Sequence, residues 1–251
     1  MNISQAVMLL NNSLNAPEEE PKPQPKPVSV EPRALTRLTN DFVNALIGFD
    51  AIHAERLLGE AFALYPFEDV LLLLVQPTMV EIGERWHHGE INVAVEHFAT
   101  QFVRRKLSGM LNMFEGSSAH GKIIMACAPD ELHDLGALFG ALFLMRHGWH
   151  VIYLGPQVPL FDLQEAIQML KPDLVLLSAS MPETALQIAD VARALQHFSY
   201  HPLIGYGGRI FNNDPELRAA IPGTYLGQDA RELIDGVAAL LGHSSTSTVE
   251  F

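Results

Sequence analysis

Apolar side chains recur every three or four residues between positions 34 and 114. This spacing places them on one face of a helix, and it is typical of amphipathic helices that share a core. Four such runs, joined by short polar stretches, predict an antiparallel four-helix bundle over residues 34–116. Pro77 falls near the middle of the third run, where it predicts a kink. The repeating positions include Leu35, Leu38, Phe42, Leu57, Leu58, Val70, Leu74, Ile82, Val95, Phe102 and Leu107.

The pattern changes at residue 122, where short apolar runs begin to alternate with helical ones. Residues 123–128, 149–154, 174–177, 203–206 and 224–226 are predicted strands, and a helical pattern follows each of them. This alternation predicts an α/β domain over residues 117–243, with a five-stranded, parallel, doubly wound sheet of the Rossmann or flavodoxin type. Ligands of such sheets bind at the carboxyl ends of the strands.

The two ends of the chain have a different composition. Residues 17–32 hold 6 of the 16 prolines, which predicts an extended linker within a disordered, proline-rich segment at 1–33. The polar residues 244–251 predict a disordered tail. Since a linker normally joins two parts and little precedes this one, we expect either that an upstream domain is missing from this chain or that the segment is a tail or a docking peptide.

Charge and cysteine content exclude several classes of protein. With 16 Lys and Arg against 29 Asp and Glu, the net charge is −13, so we expect no direct nucleic-acid binding by this chain. The single cysteine, Cys127, excludes a disulfide framework and indicates a reducing, cytoplasmic location. No apolar run is long enough to span a membrane.

A histidine with acidic neighbours follows the first predicted strand, in the sequence PDELHDLG at residues 129–136. His133 therefore stands at the ligand-binding edge of the sheet. Taken alone, a loop histidine is more often a solvated surface residue. Glu131, however, can hold one imidazole nitrogen, as carboxylates do for metal-binding histidines, and Gly136 allows a bulky ligand to approach the backbone.

Small residues follow the third and fourth predicted strands at the same edge, as SAS at 178–180 and GYGG at 205–208. Together with E-x-H-x-x-G at residues 131–136, these motifs resemble those of the cobalamin-binding Rossmann-like domain. In that family the loop histidine is the lower axial ligand of cobalt, and the nucleotide tail of the cofactor threads a slot of small residues. The resemblance implies that His133 is the cobalt ligand and Glu131 its hydrogen-bond partner. It also implies cofactor contacts by Asp134, Gly136, Ser178, Ser180, Gly207 and Gly208.

The sequence departs from that family at two points. The family often has Asp where Glu131 stands, and its S-x-L motif reads Ser178-Ala179-Ser180 here, which leaves the role of Ser180 open. By the same resemblance, Thr184 takes the place of a distal serine in a relay of histidine, carboxylate and hydroxyl.

A second motif lies at the joint between the third and fourth predicted helices, where nine residues separate Trp86 from Glu96-His97. This spacing resembles the light-sensing cobalamin domains of the CarH/LitR-like regulators, in which a helical bundle caps the upper face of the corrin. The resemblance implies that Trp86 covers the adenosyl group and that Glu96 and His97 line its pocket. It implies that His87 ligates cobalt after light breaks the cobalt–carbon bond. The structural alternatives are a core tryptophan, a carboxylate favoured by a helix N-terminus and a core histidine.

These resemblances imply a regulatory photoreceptor, not an enzyme, that binds cobalamin, with adenosylcobalamin and its cobalt as the expected cofactor. We expect a homo-oligomer, a dimer or tetramer, whose state depends on cofactor and light, and a transcription factor as partner. The alternative is a corrinoid methyl carrier of a methyltransferase system. A mutase subunit and a flavodoxin-like interaction domain without cofactor fit the motifs less well.

Overall fold

The computed structural model describes residues 34–114 and 120–242, and this part of the chain begins with four helices. The proline-rich segment predicted at 1–33 and the tail predicted at 244–251 lie outside the described residues, as does the predicted boundary between residues 116 and 117. Helix α1 spans Leu35–Ile47, α2 spans Ala51–Leu64 and α4 spans Val93–Phe114. Helix α3 consists of Phe67–Val70, a π-helical turn at Leu71–Val75 and Gln76–His87.

The four helices enclose one apolar core, as the sequence predicts. Leu38, Phe42 and Leu46 of α1 are fully buried in it, and the ring of Phe42 meets that of Phe102 of α4 edge-on at 6.0 Å. The joint between α1 and α2 is fixed by Asp50, whose carboxylate accepts the amide of His53 at 2.9 Å and so caps α2. The predicted helical cap is confirmed.

The irregularity predicted at Pro77 is accompanied by a π-helical turn in α3. Pro77 has no amide hydrogen and its ring crowds the carbonyl four residues earlier, that of Leu73. The chain responds with the π-helical turn just before the proline. The Thr39 hydroxyl of α1 lies 3.3 Å from the Leu73 carbonyl oxygen, and 2.9 Å from that of Leu35. A neighbouring helix therefore lies within hydrogen-bond distance of the carbonyl to which Pro77 cannot donate.

A parallel sheet of five strands follows within the described residues. The strands are β1 (Lys122–Cys127), β2 (His150–Gly155), β3 (Leu174–Ser178), β4 (Leu203–Gly207) and β5 (Thr224–Tyr225). Their order is β2-β1-β3-β4-β5, with every pair parallel, which confirms the predicted doubly wound sheet. The connecting helices are α5 (Leu135–Arg146), α6 (Leu160–Leu170), α7 (Pro182–Leu195), α8 (Arg209–Asn213) and α9 (Ala230–Leu240), with a 3-10 helix at Pro215–Ala220. The short helix predicted after β4 is the one at Pro215–Ala220, whereas helix α8, which precedes it, was not predicted.

Helix α5 belongs to both parts of the fold. Its Ala137, Ala141 and Leu144 pack against the sheet, whereas Leu138, Leu142 and Phe143 are buried in the core of the four-helix cap. This explains why its sequence is apolar on every side. At the far end of α5, Arg146 forms an ion pair with Glu68 of α3, so the cap contacts this helix along its length.

The helices of the described ranges, 34–114 and 120–242, include none that is both long and apolar enough to cross a membrane.

Candidate functional site

The motif loops meet where the winding of the sheet reverses. Strands β1 and β3 are neighbours, but their connections leave in opposite directions, so a crevice opens between their carboxyl ends. The loop after β1 carries Glu131 and His133, and the loop after β3 carries Ser180 and leads into the first turn of α7. Cys127 and Ser178 are paired in register at the ends of these strands. Ligands bind to folds of this order at this point.

Glu131 lies at the centre of a hydrogen-bond network that joins the two loops. One oxygen accepts from the backbone amide of His133 at 2.9 Å and contacts its Nδ1 at 2.6 Å. The other accepts from the amide of Ser180 at 2.8 Å and the hydroxyl of Thr184 at 2.6 Å. Burial of this side chain, which is 1% exposed, raises the pKa of the carboxyl. The bonds from His133, Thr184 and Ser180 outweigh it and lower that pKa to about 2. The carboxylate is therefore ionised at neutral pH.

His133 is held on one side and open on the other. Its side chain is 65% exposed, and the bond from Nδ1 to Glu131 leaves Nε2 as the nitrogen that can take a metal. This bond is also the main reason why the pKa of His133 is raised. A histidine oriented by a carboxylate in this way is typical of metal ligands in proteins.

The remaining residues predicted on the sheet are small and lie at the same carboxyl edge. Gly136 is exposed in the first turn of α5, and a Cβ there would lie 3.7 Å from Oγ of Ser178. Ser178 is paired with Gly207 across β3 and β4, and a Cβ on Gly207 would lie 3.9 Å from the carbonyl oxygen of Gly227. These positions therefore carry no side chain larger than that of Ser178, which is itself buried.

Gly208 has a separate structural reason to be glycine. Its φ is +115°, and a Cβ there would come within 2.1 Å of the carbonyl oxygen of Ala179. The close approach of the β3 and β4 loops therefore requires glycine at this position, whatever else binds nearby.

Asp134, which follows the histidine, faces the cap. Its side chain is 5% exposed, and its Oδ1 accepts two bonds from Arg104 of α4, at 2.9 Å from Nε and 2.6 Å from Nη2. The hydroxyl of Tyr153 lies 3.5 Å from the other oxygen. Burial, and then the charge of Asp134, raise the pKa of Tyr153. The proposed role of Asp134 in contacting cofactor remains a prediction, since both oxygens face protein groups.

The residues of the second motif lie around the joint between α3 and α4. Trp86 is 47% exposed, and His87, also exposed, is the last residue of α3. Glu96, in the first turn of α4, accepts from Thr100 at 2.7 Å and pairs with Nδ1 of His97 at 2.6 Å. The side chain of His97 is 73% exposed, so neither Trp86 nor His97 is a core residue.

Charges from other elements have smaller effects on the pKa of His133: that of Arg209, at the start of α8, lowers it, and that of Glu96 raises it. The motif residues form two groups, Glu131, His133, Ser180 and Thr184 on the sheet and Trp86, His87, Glu96 and His97 on the cap.

Sequence reasoning missed three residues here. Arg104 sits within the basic run Arg104-Arg105-Lys106, and nothing in that run distinguishes the arginine that faces inward. Tyr153 is one aromatic residue of an apolar strand. Gly227 follows the shortest strand, where a lone glycine is an ordinary turn signal.

The geometry defines a two-part module, in which a helical cap packs along α5 and the candidate site lies at the carboxyl edge of a doubly wound sheet. Two family models, each described as a B12 binding domain, match residues 38–108 and 121–234. The chain belongs to this family of B12-binding proteins.

Individual relatives refine the assignment. The chain is 33% identical over 199 residues to the HTH-type transcriptional repressor CarH of Myxococcus xanthus, covering 77% of this chain and 64% of that protein. It is 27% identical over 197 residues to the repressor CarA of the same organism, covering 77% of this chain and 66% of that protein. The chain thus spans slightly less than two thirds of the length of each. The fold is shared with the monomethylamine corrinoid protein of Methanosarcina barkeri, at a TM-score of 0.70 and 18% identity, over 82% of this chain and all of that one.

Proposed function

We propose that this chain is a light-responsive regulator that binds cobalamin, with His133 as lower axial ligand of the cobalt. The observation that carries the proposal is the network in which Glu131 fixes Nδ1 of His133 and is itself held by Ser180 and Thr184. Such a carboxylate orients a metal-binding imidazole and raises its basicity. The similarity to two transcriptional repressors supports a regulatory role and argues against an enzyme.

The residues present suit a corrinoid in shape as well as chemistry. A flat macrocycle needs an open axial nitrogen, which the exposed Nε2 of His133 offers. A long nucleotide tail needs a track without side chains, and Gly136, Ser178 and Gly207 give such a track along the sheet edge. Ser180 contributes its amide to the Glu131 network, and its hydroxyl stays available to the tail.

Cobalamin would supply a cobalt–carbon bond that light can break, which no amino-acid side chain offers. On the cap, the half-exposed ring of Trp86 offers a flat surface to the adenosyl group. The carboxylate of Glu96 is fixed by Thr100 and His97 and offers an acceptor to a ribose hydroxyl. We assign His87, exposed beside Trp86, as the upper cobalt ligand after illumination.

The same reasoning extends to partners. We propose that the chain forms a dimer or tetramer whose state depends on adenosylcobalamin and light, and that it controls transcription in the cytoplasm through a transcription-factor partner. Its net charge of −13 argues against direct binding to nucleic acid. A gel-shift with the chain loaded with cofactor should show no tight, specific DNA complex.

The decisive experiment is reconstitution with adenosylcobalamin in the dark, followed by illumination while the visible spectrum and the elution volume are recorded. We expect a light-driven spectral change together with a change in mass. His133→Ala should lose the spectrum of histidine-ligated cobalamin in the dark, whereas His87→Ala should alter only the spectrum after light. An unchanged spectrum and elution volume on illumination would contradict the light response.

The alternative, a corrinoid methyl carrier, needs the same fold and the same His133, so neither distinguishes the two functions. The discriminating residues are Trp86, Glu96 and His97, which suit a large upper ligand better than a methyl group. Methyl transfer from bound methylcobalamin to a thiol acceptor, without a response to light, would favour the carrier.

A further inference from the structure

Asp134 occupies the position that precedes α5, where an aspartate ordinarily caps the helix with its own carboxylate. Among the described residues this carboxylate makes no such capping bond. It turns to Arg104 of the cap, which binds it through both Nε and Nη2. The buried carboxylate of Asp134 thus binds a guanidinium 30 positions away instead of capping its own helix. This indicates that it joins α4 to the segment before α5.

The backbone around His133 is held at successive points. Its amide donates to Glu131 on one side, and its carbonyl oxygen lies 3.8 Å from the thiol of Cys127. The next residue is Asp134, fixed by Arg104. The backbone that carries the imidazole is therefore followed by Asp134, which is hydrogen-bonded to α4 of the cap. The same helix carries Glu96.

We infer that Arg104 is a positioning residue, through which the cap holds the His133 loop and couples the seating of the cap to the orientation of the imidazole. The inference rests on the proposed function, because it takes the imidazole of His133 as the cobalt ligand. The two hydrogen bonds of Arg104 in this contact run to Asp134, so it acts on the imidazole through Asp134. Its side chain is 29% exposed and Asp134 is nearly buried, so water does not screen the contact fully.

The coupling can be measured first without cofactor. In Arg104→Met, hydrogen exchange at residues 131–136 should become faster than in the wild type, whereas the exchange of β3 and β4 should not change. Arg105→Met is the matched control, because Arg105 is the exposed neighbour on the same helix. Equal exchange of the loop in both variants would overturn the coupling.

The second measurement is a titration with cobalamin, followed by the visible spectrum of histidine-ligated cobalt. Loss of a partner that orients a metal ligand costs about tenfold or more in affinity, so we expect this loss in Arg104→Met and wild-type binding in Arg105→Met. Arg104→Lys should recover only part, because an ammonium cannot reproduce the two-nitrogen contact. Equal affinity and equal ligated fraction in the Arg104→Met and Arg105→Met variants would overturn the role.

A double variant separates positioning from simple instability. Arg104→Met alone leaves an unpaired buried carboxylate, whereas Arg104→Met with Asp134→Asn removes both charges. The double variant should regain thermal stability but keep the fast loop exchange and the weak binding. Recovery of binding along with stability would overturn the inference. If wild-type chain fails to bind cobalamin, the proposed function fails, and the exchange measurement still decides whether Arg104 holds the loop.

Discussion

The hydroxyl of Thr184 donates a 2.6 Å hydrogen bond to Oε2 of Glu131. Thr184 lies in the first turn of α7, after β3, and Glu131 lies in the loop after β1. This bond therefore joins the segments that follow the two strands. The other oxygen of the same carboxylate holds His133. A change at Thr184 should therefore reach the imidazole through a single carboxylate.

Thr184→Val removes this donor and keeps the shape of the side chain. Glu131 then loses one of the bonds that stabilise its ionised form, so its pKa should rise and the unfolding free energy should fall by about 1–3 kcal/mol. Affinity for cobalamin should fall about tenfold, because the imidazole is less well oriented. Urea unfolding and a spectral titration measure both effects. Thr184→Ser, which keeps the hydroxyl, should behave like the wild type; a loss of affinity equal to that of the valine variant would show that the hydroxyl is not responsible.

Stability without cofactor should depend on acid through Glu131. The pKa of this carboxyl falls from 4.5 to about 2 on folding, so the folded state favours the ionised form. The resulting contribution, about 3 kcal/mol at most, is complete above about pH 5 and is lost as the pH falls toward 2. The same bond raises the pKa of His133 from 6.5, so stability curves of wild type and Glu131→Gln from urea unfolding should differ most between about pH 5 and 6.5 and should converge in acid. Curves that remain parallel over this range would contradict the lowered pKa.

Two neighbouring glycines should respond differently to alanine. In Gly208→Ala the new methyl group meets the Ala179 carbonyl and φ is +115°, so the unfolding free energy should fall by at least about 2 kcal/mol. Gly207→Ala adds a methyl group that meets only the Gly227 carbonyl oxygen, at 3.9 Å. Its stability should stay within about 1 kcal/mol of the wild type, whereas its affinity for cobalamin should fall because the track for the tail is narrowed. Equal stability of the two variants would show that a side chain at position 208 does not strain the close approach of the β3 and β4 loops.

Thr78 offers a route to a more stable cap. It is fully buried in α3, and its hydroxyl is without a hydrogen-bond partner in the part of the chain that the structure describes. Thr78→Val replaces this hydroxyl with a methyl group and should raise the unfolding free energy by about 1 kcal/mol. Thr78→Ser keeps the hydroxyl and loses the methyl group, so it should be less stable than the wild type. A valine variant with a lower melting temperature than the wild type would indicate that the hydroxyl is satisfied.

Cys127 should be chemically inert in the folded chain. Burial, and then the charges of Asp134 and Glu131, raise the pKa of its thiol from 9.0 to about 12, so almost no thiolate is present at mildly alkaline pH. Maleimide should label the native chain far more slowly than the chain in urea. Equally fast labelling of the native chain and the chain in urea would show that the loop after β1 opens readily. In that case, labelling of native Arg104→Met should be faster than labelling of the native wild type.

The sequence predicted the larger elements because each carries a repeated signal. The three-to-four spacing of α1, α2 and α4 extends over several turns, and the apolar runs of β1–β4 are identified as strands by their shortness and their alternation with helical segments. Helix α8 was missed because it has only five residues and no room for a periodic pattern. The π-helical turn in α3 depends on how α1 accommodates the Leu73 carbonyl, and a proline signals only that some irregularity must occur.

For the candidate site, spacing within a loop was informative and contacts between distant elements were not. Glu131 and His133 are two residues apart, so their hydrogen bond follows from local geometry. Thr184 entered through family resemblance, and the structure brings its hydroxyl to Glu131 across 53 positions of sequence. Arg104 is 30 positions from Asp134, and its helical neighbours carry the same charge, so only the packing of α4 on α5 selects it.

The double packing of α5 also limits how this protein can be taken apart or recombined. A sheet domain expressed from residue 121 would expose Leu138, Leu142 and Phe143, which are fully buried under the cap. Such a fragment should aggregate, and a chimaera that joins this sheet to a foreign helical cap should fail unless the facing positions of α5 are exchanged as well. Cap and sheet should therefore be kept together in any fragment or fusion. The junction of a functional fusion belongs before Leu35, not between α4 and β1.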